Sequence, residues 1–167
     1  MKSLTLLIVT KPHCSGCELM KRKTLNHPEV QMELEAKWDV YPYRAHEDDG
    51  SNDFIWYPTV VAYDGMFQVL RREEGFIPPY EFLVFLHLAE AKQLLNQKDY
   101  TTCYQLLEMT CKTFPLSGFI PECLYYLGVV SHLAHNPRET ARVWRILRET
   151  YPQTRWAHKV MLQWPEE

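Results

Sequence analysis

The chain has 167 residues, 46% hydrophobic and 23% charged, with a formal net charge of −3. That is enough apolar material for one core or two small ones, and it argues against a disordered chain. The slight negative charge disfavours nucleic acid as the main partner, and no apolar run approaches the ~20 residues needed to cross a bilayer.

In chain order, residues 4–9 (Leu-Thr-Leu-Leu-Ile-Val) are apolar and partly β-branched, the pattern of an interior strand covered on both faces. Directly after it comes Lys11-Pro12-His13-Cys14-Ser15-Gly16-Cys17, opening a helical stretch over 17–25 that Asn26-His27-Pro28 stops or bends. A second helical stretch covers 29–38, and 39–44 alternates as a second strand. Residues 45–53 are polar, with a loop at Asp48-Asp49-Gly50-Ser51-Asn52. The aromatic cluster Phe54-Ile55-Trp56-Tyr57 leads to Pro58 and a strand over 59–63. Asp64-Gly65 predicts a tight hairpin turn with a return strand over 67–70, and residues 71–75 lead out to Pro78-Pro79, which starts a helix.

From Pro79 onward the pattern is all helical, over 79–96, 99–113, 121–135, 137–150 and 153–164. Shifted by 37 residues, it partly repeats: Ala91 falls on Gly128, Asp99 on Asn136, Leu107 on Trp144, Thr110 on Leu147, and Phe114-Pro115 on Tyr151-Pro152. Asp99 and Asn136 stand where helix caps belong, the latter with Pro137 next and Glu139 three residues on, the spacing of a capping box. The stretch over 79–96 contains no breaker, so one long helix is expected to close the first domain, begin the second and join them without a linker.

The chemistry points to Cys14 and Cys17. A Cys-x-x-Cys pair at a strand-to-helix junction is a redox signature. The first thiol lies at a helix N-terminus, where backbone N–H groups favour the thiolate, and the second lies one turn on, close enough to close a disulfide. The other reading is half of a zinc site, with His13, His27 or His46 supplying ligands, but no second Cys-x-x-Cys completes it. Cys103, Cys111 and Cys123 fall in helical patterns as small buried residues. No resident metal or cofactor is expected beyond the redox-active cysteine pair.

On these residues the chain over 1–88 resembles the thioredoxin-like family: Cys14-x-x-Cys17 after the first strand, Tyr57-Pro58-Thr59 before the third, Asp64-Gly65 in the hairpin and Gly75 before the closing helix. Residues 89–167 resemble two tetratricopeptide repeats, a family of period 34 built from helical hairpins. The departures are about three extra residues around 116–120, Cys103 and Thr140 in place of alanine, and His87 in place of a large apolar residue. The fold class implied is α/β thioredoxin-like, followed by an all-α tetratricopeptide-like domain. The resemblance implies that Cys14 is the nucleophile and Cys17 the resolver, that the Tyr57–Pro58 bond is cis, and that the Tyr57 backbone pairs with an extended substrate. Trp56 is core or substrate groove, and His13 stands beside the nucleophile. One departure matters for rate: the family's buried carboxylate, six residues before the first cysteine, is Ile8 here.

The function expected is thiol–disulfide exchange on protein disulfides. An electron-donor reductase or small thiol would regenerate the dithiol, and a peptide or protein would sit on the helical repeats. The alternative is a non-catalytic adaptor whose thioredoxin-like domain is scaffold or redox switch. Met1–Thr10 lacks the features of a signal peptide, so a cytoplasmic location, with neither membrane nor nucleic acid as partner, is expected.

Overall fold

Leu6, Val9 and Val60 lie fully buried in the middle of a sheet whose strand order is β2-β1-β3-β4 (β1, Leu4–Thr10; β2, Trp38–Arg44; β3, Thr59–Tyr63; β4, Val69–Glu74). These coordinates come from a computed structural model, which describes residues 3–45 and 54–160. The predicted loop at 48–52, His46 and the last residues of the final predicted helix lie outside that range. By contacts the chain divides into two compact units, Met1–Glu90 and Ala91–Glu167.

In the first unit β1 pairs parallel with β2 and antiparallel with β3, which pairs antiparallel with β4. The strand order and pairing are those of a thioredoxin-like fold. The parallel pair requires a crossover. It is made by α1 (Ser15–Leu19), a π-helical turn (Met20–Leu25) and α2 (Pro28–Lys37). A wide turn in place of a continuous helix over 17–25 was not expected. It places Met20 and Thr24 in the core, where the Thr24 hydroxyl donates to the Ile77 carbonyl at 2.6 Å. α3 (Pro79–Asn96) closes this unit with Phe82, Phe85 and Leu86 fully buried, and the division between the units falls within it.

The hairpin between β3 and β4 differs from the predicted Asp-Gly turn. Asp64 Oδ1 accepts from the Met66 and Gln68 amides, and Phe67, not Gly65, takes the left-handed conformation (φ 58°). The carboxylate organises a five-residue loop, as Asx turns do. The return strand therefore begins at Val69 and runs to Glu74, with an irregularity at Ala62/Tyr63.

The second unit holds α4 (Tyr100–Thr113), α5 (Ile120–Leu133), α6 (Pro137–Thr150) and α7 (Arg155–Lys159). Its local geometry repeats at the 37-residue shift. Lys98 and His135 are both left-handed (φ 60° and 58°). The next residues, Asp99 and Asn136, accept from Thr102 N and Glu139 N, capping α4 and α6. Their own amides reach back to Leu94 and Ser131 carbonyls, each at 2.9 Å. Cys103 and Thr140 are both fully buried, as are Thr110 and Leu147. The second half of the predicted capping box is not made. The Glu139 carboxylate instead accepts from the Tyr104 hydroxyl and the Arg142 guanidinium. Those hydrogen bonds hold its carboxyl below the usual range against a desolvating contribution, while desolvation and the same carboxylate push Tyr104 up to about 12.

Gly128 is required by packing. A Cβ there would run into the Trp144 indole, whose Nε1–H donates to the Tyr125 carbonyl at 3.2 Å. Gly128→Ala should therefore lower stability by about 2 kcal/mol despite alanine's better helix propensity. Urea unfolding would measure this, and a Trp144→Leu background should turn the same change neutral or favourable.

Among the described residues no helix is long and apolar enough to cross a membrane.

Candidate functional site

β1 delivers the chain to one end of the sheet, where Ala45 N still pairs with Thr10 O at 2.8 Å. The turn that follows puts His13 in the left-handed region (φ 55°), with its side chain exposed. Cys14 is then the N-cap of α1: its Sγ accepts from Cys17 N at 3.1 Å, and its carbonyl accepts from Glu18 N at 3.2 Å. A sulfur occupies the place that serine or aspartate takes at an ordinary cap, so it receives a backbone N–H that would otherwise lack a partner.

Cys14 and Cys17 are joined by a disulfide, their Cα atoms 5.2 Å apart. The pair is asymmetric, with Cys14 partly exposed and Cys17 at 7% exposure. Cys14 is therefore the more accessible sulfur of the pair, and Cys17 the more enclosed one.

The loop before β3 lies against this helix start. A Cβ on Gly16 would stand 3.3 Å from Pro58 Cδ and 3.4 Å from the Tyr57 carbonyl oxygen. The absence of a side chain at Gly16 thus lets the protein's own Tyr57–Pro58 backbone come close to it. The Tyr57–Pro58 peptide is cis. The loop is tied down at several points. Pro58 O accepts from Gly75 N at 2.7 Å, Thr59 Oγ1 donates to Trp56 O at 2.6 Å, and Tyr57 Oη donates to Phe54 O at 3.1 Å. Gly75 has φ 90°, a conformation that disfavours any side chain, and the Trp56 indole lies beside it.

Trp56 is 64% exposed and Ile55 78% exposed, so Trp56 belongs to the surface and not to the core. Lys11, which sequence reasoning passed over, places its ammonium 5.8 Å from the Tyr57 ring centroid. A cavity of about 480 Å³ runs along α1, lined by Ser15, Gly16, Glu18, Leu19 and Arg22. Ile8 is buried at 4% exposure. Among the described residues, no group of three or more His, Cys, Asp or Glu side chains is disposed to hold a metal ion. His46, one of the alternative zinc ligands, lies outside them.

The tight Gly16 contact predicts a graded response. Gly16→Ala should be absorbed by a shift of a few tenths of an ångström, whereas Gly16→Val should lose about 1–3 kcal/mol of stability by forcing the Pro58 loop away. Urea midpoints of the two variants would check this.

No protein-family profile matches the chain, and no curated protein sequence matches it. Among solved structures, it is similar to one described as DsbH oxidoreductase, at 12% identity and a TM-score of 0.45, covering 53% of this chain and 72% of that one. It is also similar to the C-terminal domain of Neisseria meningitidis DsbD in its reduced form, at 17% identity and a TM-score of 0.42, covering 50% of this chain and 77% of that one. Likenesses of this extent say nothing about substrate or partner.

Proposed function

We propose that the chain is a thiol–disulfide oxidoreductase that acts on protein disulfides through Cys14 and Cys17. The observation that carries this reading is the asymmetric disulfide at the start of α1, partly open at Cys14 and closed at Cys17, with the Tyr57–Pro58 loop against it.

In the reduced form the Cys17 N–H that now meets Cys14 Sγ would stabilise a thiolate there. That thiolate attacks one sulfur of a client disulfide. The client S–S bond breaks, one client thiolate leaves, and Cys14 is left in a mixed disulfide. Cys17 then loses its proton and attacks Cys14 Sγ, releasing the second client thiolate and closing the Cys14–Cys17 bond. The client has gained two electrons and the dithiol has lost them. An external dithiol or reductase restores the pair, and no other cofactor is needed. An extended client segment would lie along Tyr57 and Pro58, using the Tyr57 backbone for a short β-bridge, with Trp56 and His13 as exposed walls.

The second unit is read as a tetratricopeptide-like pair of hairpins that holds a client or partner. The duplicated caps and turns at the 37-residue shift support this reading.

The test is turnover of a protein disulfide, such as insulin, with dithiothreitol as donor, together with the reduction potential of the Cys14/Cys17 pair against glutathione. Catalysed reduction well above the dithiothreitol background is expected. No turnover with any dithiol donor would overturn the enzyme reading and leave an adaptor.

A further inference from the structure

The disulfide sits in a basic stretch of an acidic chain. Residues 11–27 hold four basic side chains, Lys11, Lys21, Arg22 and Lys23, against one acidic side chain, Glu18, whereas the whole chain has a net charge of −3. All five are exposed. Among the described residues Lys21, Arg22 and Lys23 make no ion pair, and Arg22 does not pair even with Glu18, four positions before it. Glu47, Asp48 and Asp49 lie outside the described residues. Two of the cations stand at the site itself. Arg22 lines the cavity along α1 together with Ser15 and Gly16, the residues between the two cysteines. Lys11 holds its ammonium 5.8 Å from the Tyr57 ring centroid, beside the loop that abuts Gly16. On that loop's far side Glu74 is paired with Arg72 at 2.7 Å, so its charge is already compensated. Exposed cations without partners keep their field for an incoming molecule, and such rim charges govern encounter and choice of partner.

We infer that the site selects protein disulfides flanked by acidic residues, with Arg22 and Lys11 as the residues that set this specificity. The inference rests on the exchange reaction proposed for Cys14 and Cys17 and names its substrate class. The register follows from the helix. From Ser15 to Arg22 the path along α1 and the turn after it is about 10 Å, which an extended client spans in about three residues. A client glutamate or aspartate about three positions from the reacting cysteine therefore reaches the Arg22 guanidinium. A client segment lying along Tyr57 brings its side chains past the Lys11 ammonium instead. Glu18, in the same cavity, works against Arg22 and turns away part of this attraction, so the preference depends on both cations and not on Arg22 alone.

The test uses the wild-type chain, dithiothreitol as donor, and three disulfide-linked peptides that differ only at the position three residues from each cysteine, which is Glu, Gln or Lys. The readout is kcat/KM for reduction, after subtraction of the dithiothreitol background. The Glu peptide should be reduced about tenfold faster than the Lys peptide at low ionic strength, with the Gln peptide between them. At about 0.5 M salt the three should converge. Arg22→Glu and Lys11→Glu should each shrink the Glu-to-Lys ratio, the double variant should bring it below one, and Arg22→Lys should restore most of it. Equal rates for the three peptides at low salt, or a ratio that salt does not change, would overturn the specificity and leave the exchange chemistry standing. If none of the three is reduced, the exchange reading itself fails and takes this inference with it. The wild-type ratio and its salt dependence decide the matter, so a variant that fails to fold does not rescue the idea.

Discussion

Serine in place of Cys14 should lower disulfide-reductase turnover by about a thousandfold or more, to the background of the dithiol donor. A hydroxyl does not ionise near neutral pH, so the N–H of Cys17 would have no thiolate to stabilise. Cys103 and Cys123 cannot substitute, because both are fully buried. Cys103→Ser and Cys123→Ser should accordingly retain turnover. Cys17→Ser should behave differently from Cys14→Ser. It leaves the exposed attacker in place and removes the resolver, so a mixed disulfide with the client should accumulate and be visible on a non-reducing gel. Ile8 adds a kinetic expectation. With a buried apolar side chain there, no carboxylate at that place takes the proton from Cys17. Resolution should then be slower than the first attack, and rapid-mixing experiments should show a transient mixed disulfide even in the wild type. If Cys14→Ser turns over like the wild type, the proposed chemistry is wrong.

The second large effect is on stability in acid. His87 on α3 is 6% exposed, close to Glu33 and Lys37 of α2, and Lys37 bridges Glu33 at 3.3 Å and Glu90 at 2.8 Å. Burial, helped by the Lys37 charge and opposed by Glu33, holds the His87 imidazole down to about 4 from an ordinary 6.5. Lys37 is raised instead, because its contacts with Glu90 and Glu33 outweigh its own desolvation. The unfolded chain takes a proton at His87 near pH 6.5, whereas the folded chain takes it only near pH 4. Between those values the unfolded state binds more protons, so folding stability falls as pH drops through that window and is unaffected by this group above it. The loss should reach about 2–3 kcal/mol near the bottom of the window. Urea unfolding at pH 7.5 and pH 4.5 would measure it, with His87→Met as the comparison. Met keeps an apolar side chain there and should flatten the slope by that amount. An unchanged slope would show that His87 is not held neutral by this cluster.

Much of the first unit was legible before any coordinates. The apolar run over 4–9, the position of Cys14-x-x-Cys17 after it and the Pro58-led strand are local patterns, and the fold expectation came from their resemblance to the thioredoxin-like family. The 37-residue shift in the second unit was legible for the same reason, because caps and turns are made by residues a few positions apart. The Asp64 loop was misread because Asp-Gly also fits a tight hairpin. The choice was made by Asp64 Oδ1 collecting two amides and by Phe67 accepting a left-handed backbone.

Spacing along the chain was enough to name the two cysteines that pair, their place at a helix start and the two matching caps in the helical half. Folding in three dimensions decided which neighbours the residues have: Pro58 against Gly16, Gly75 under Trp56, and Lys37 beside His87. The physical reason is range. Helix caps, turns and periodic faces depend on atoms a few residues apart, whereas desolvation and close backbone approach depend on residues brought together from distant segments, which no local pattern encodes.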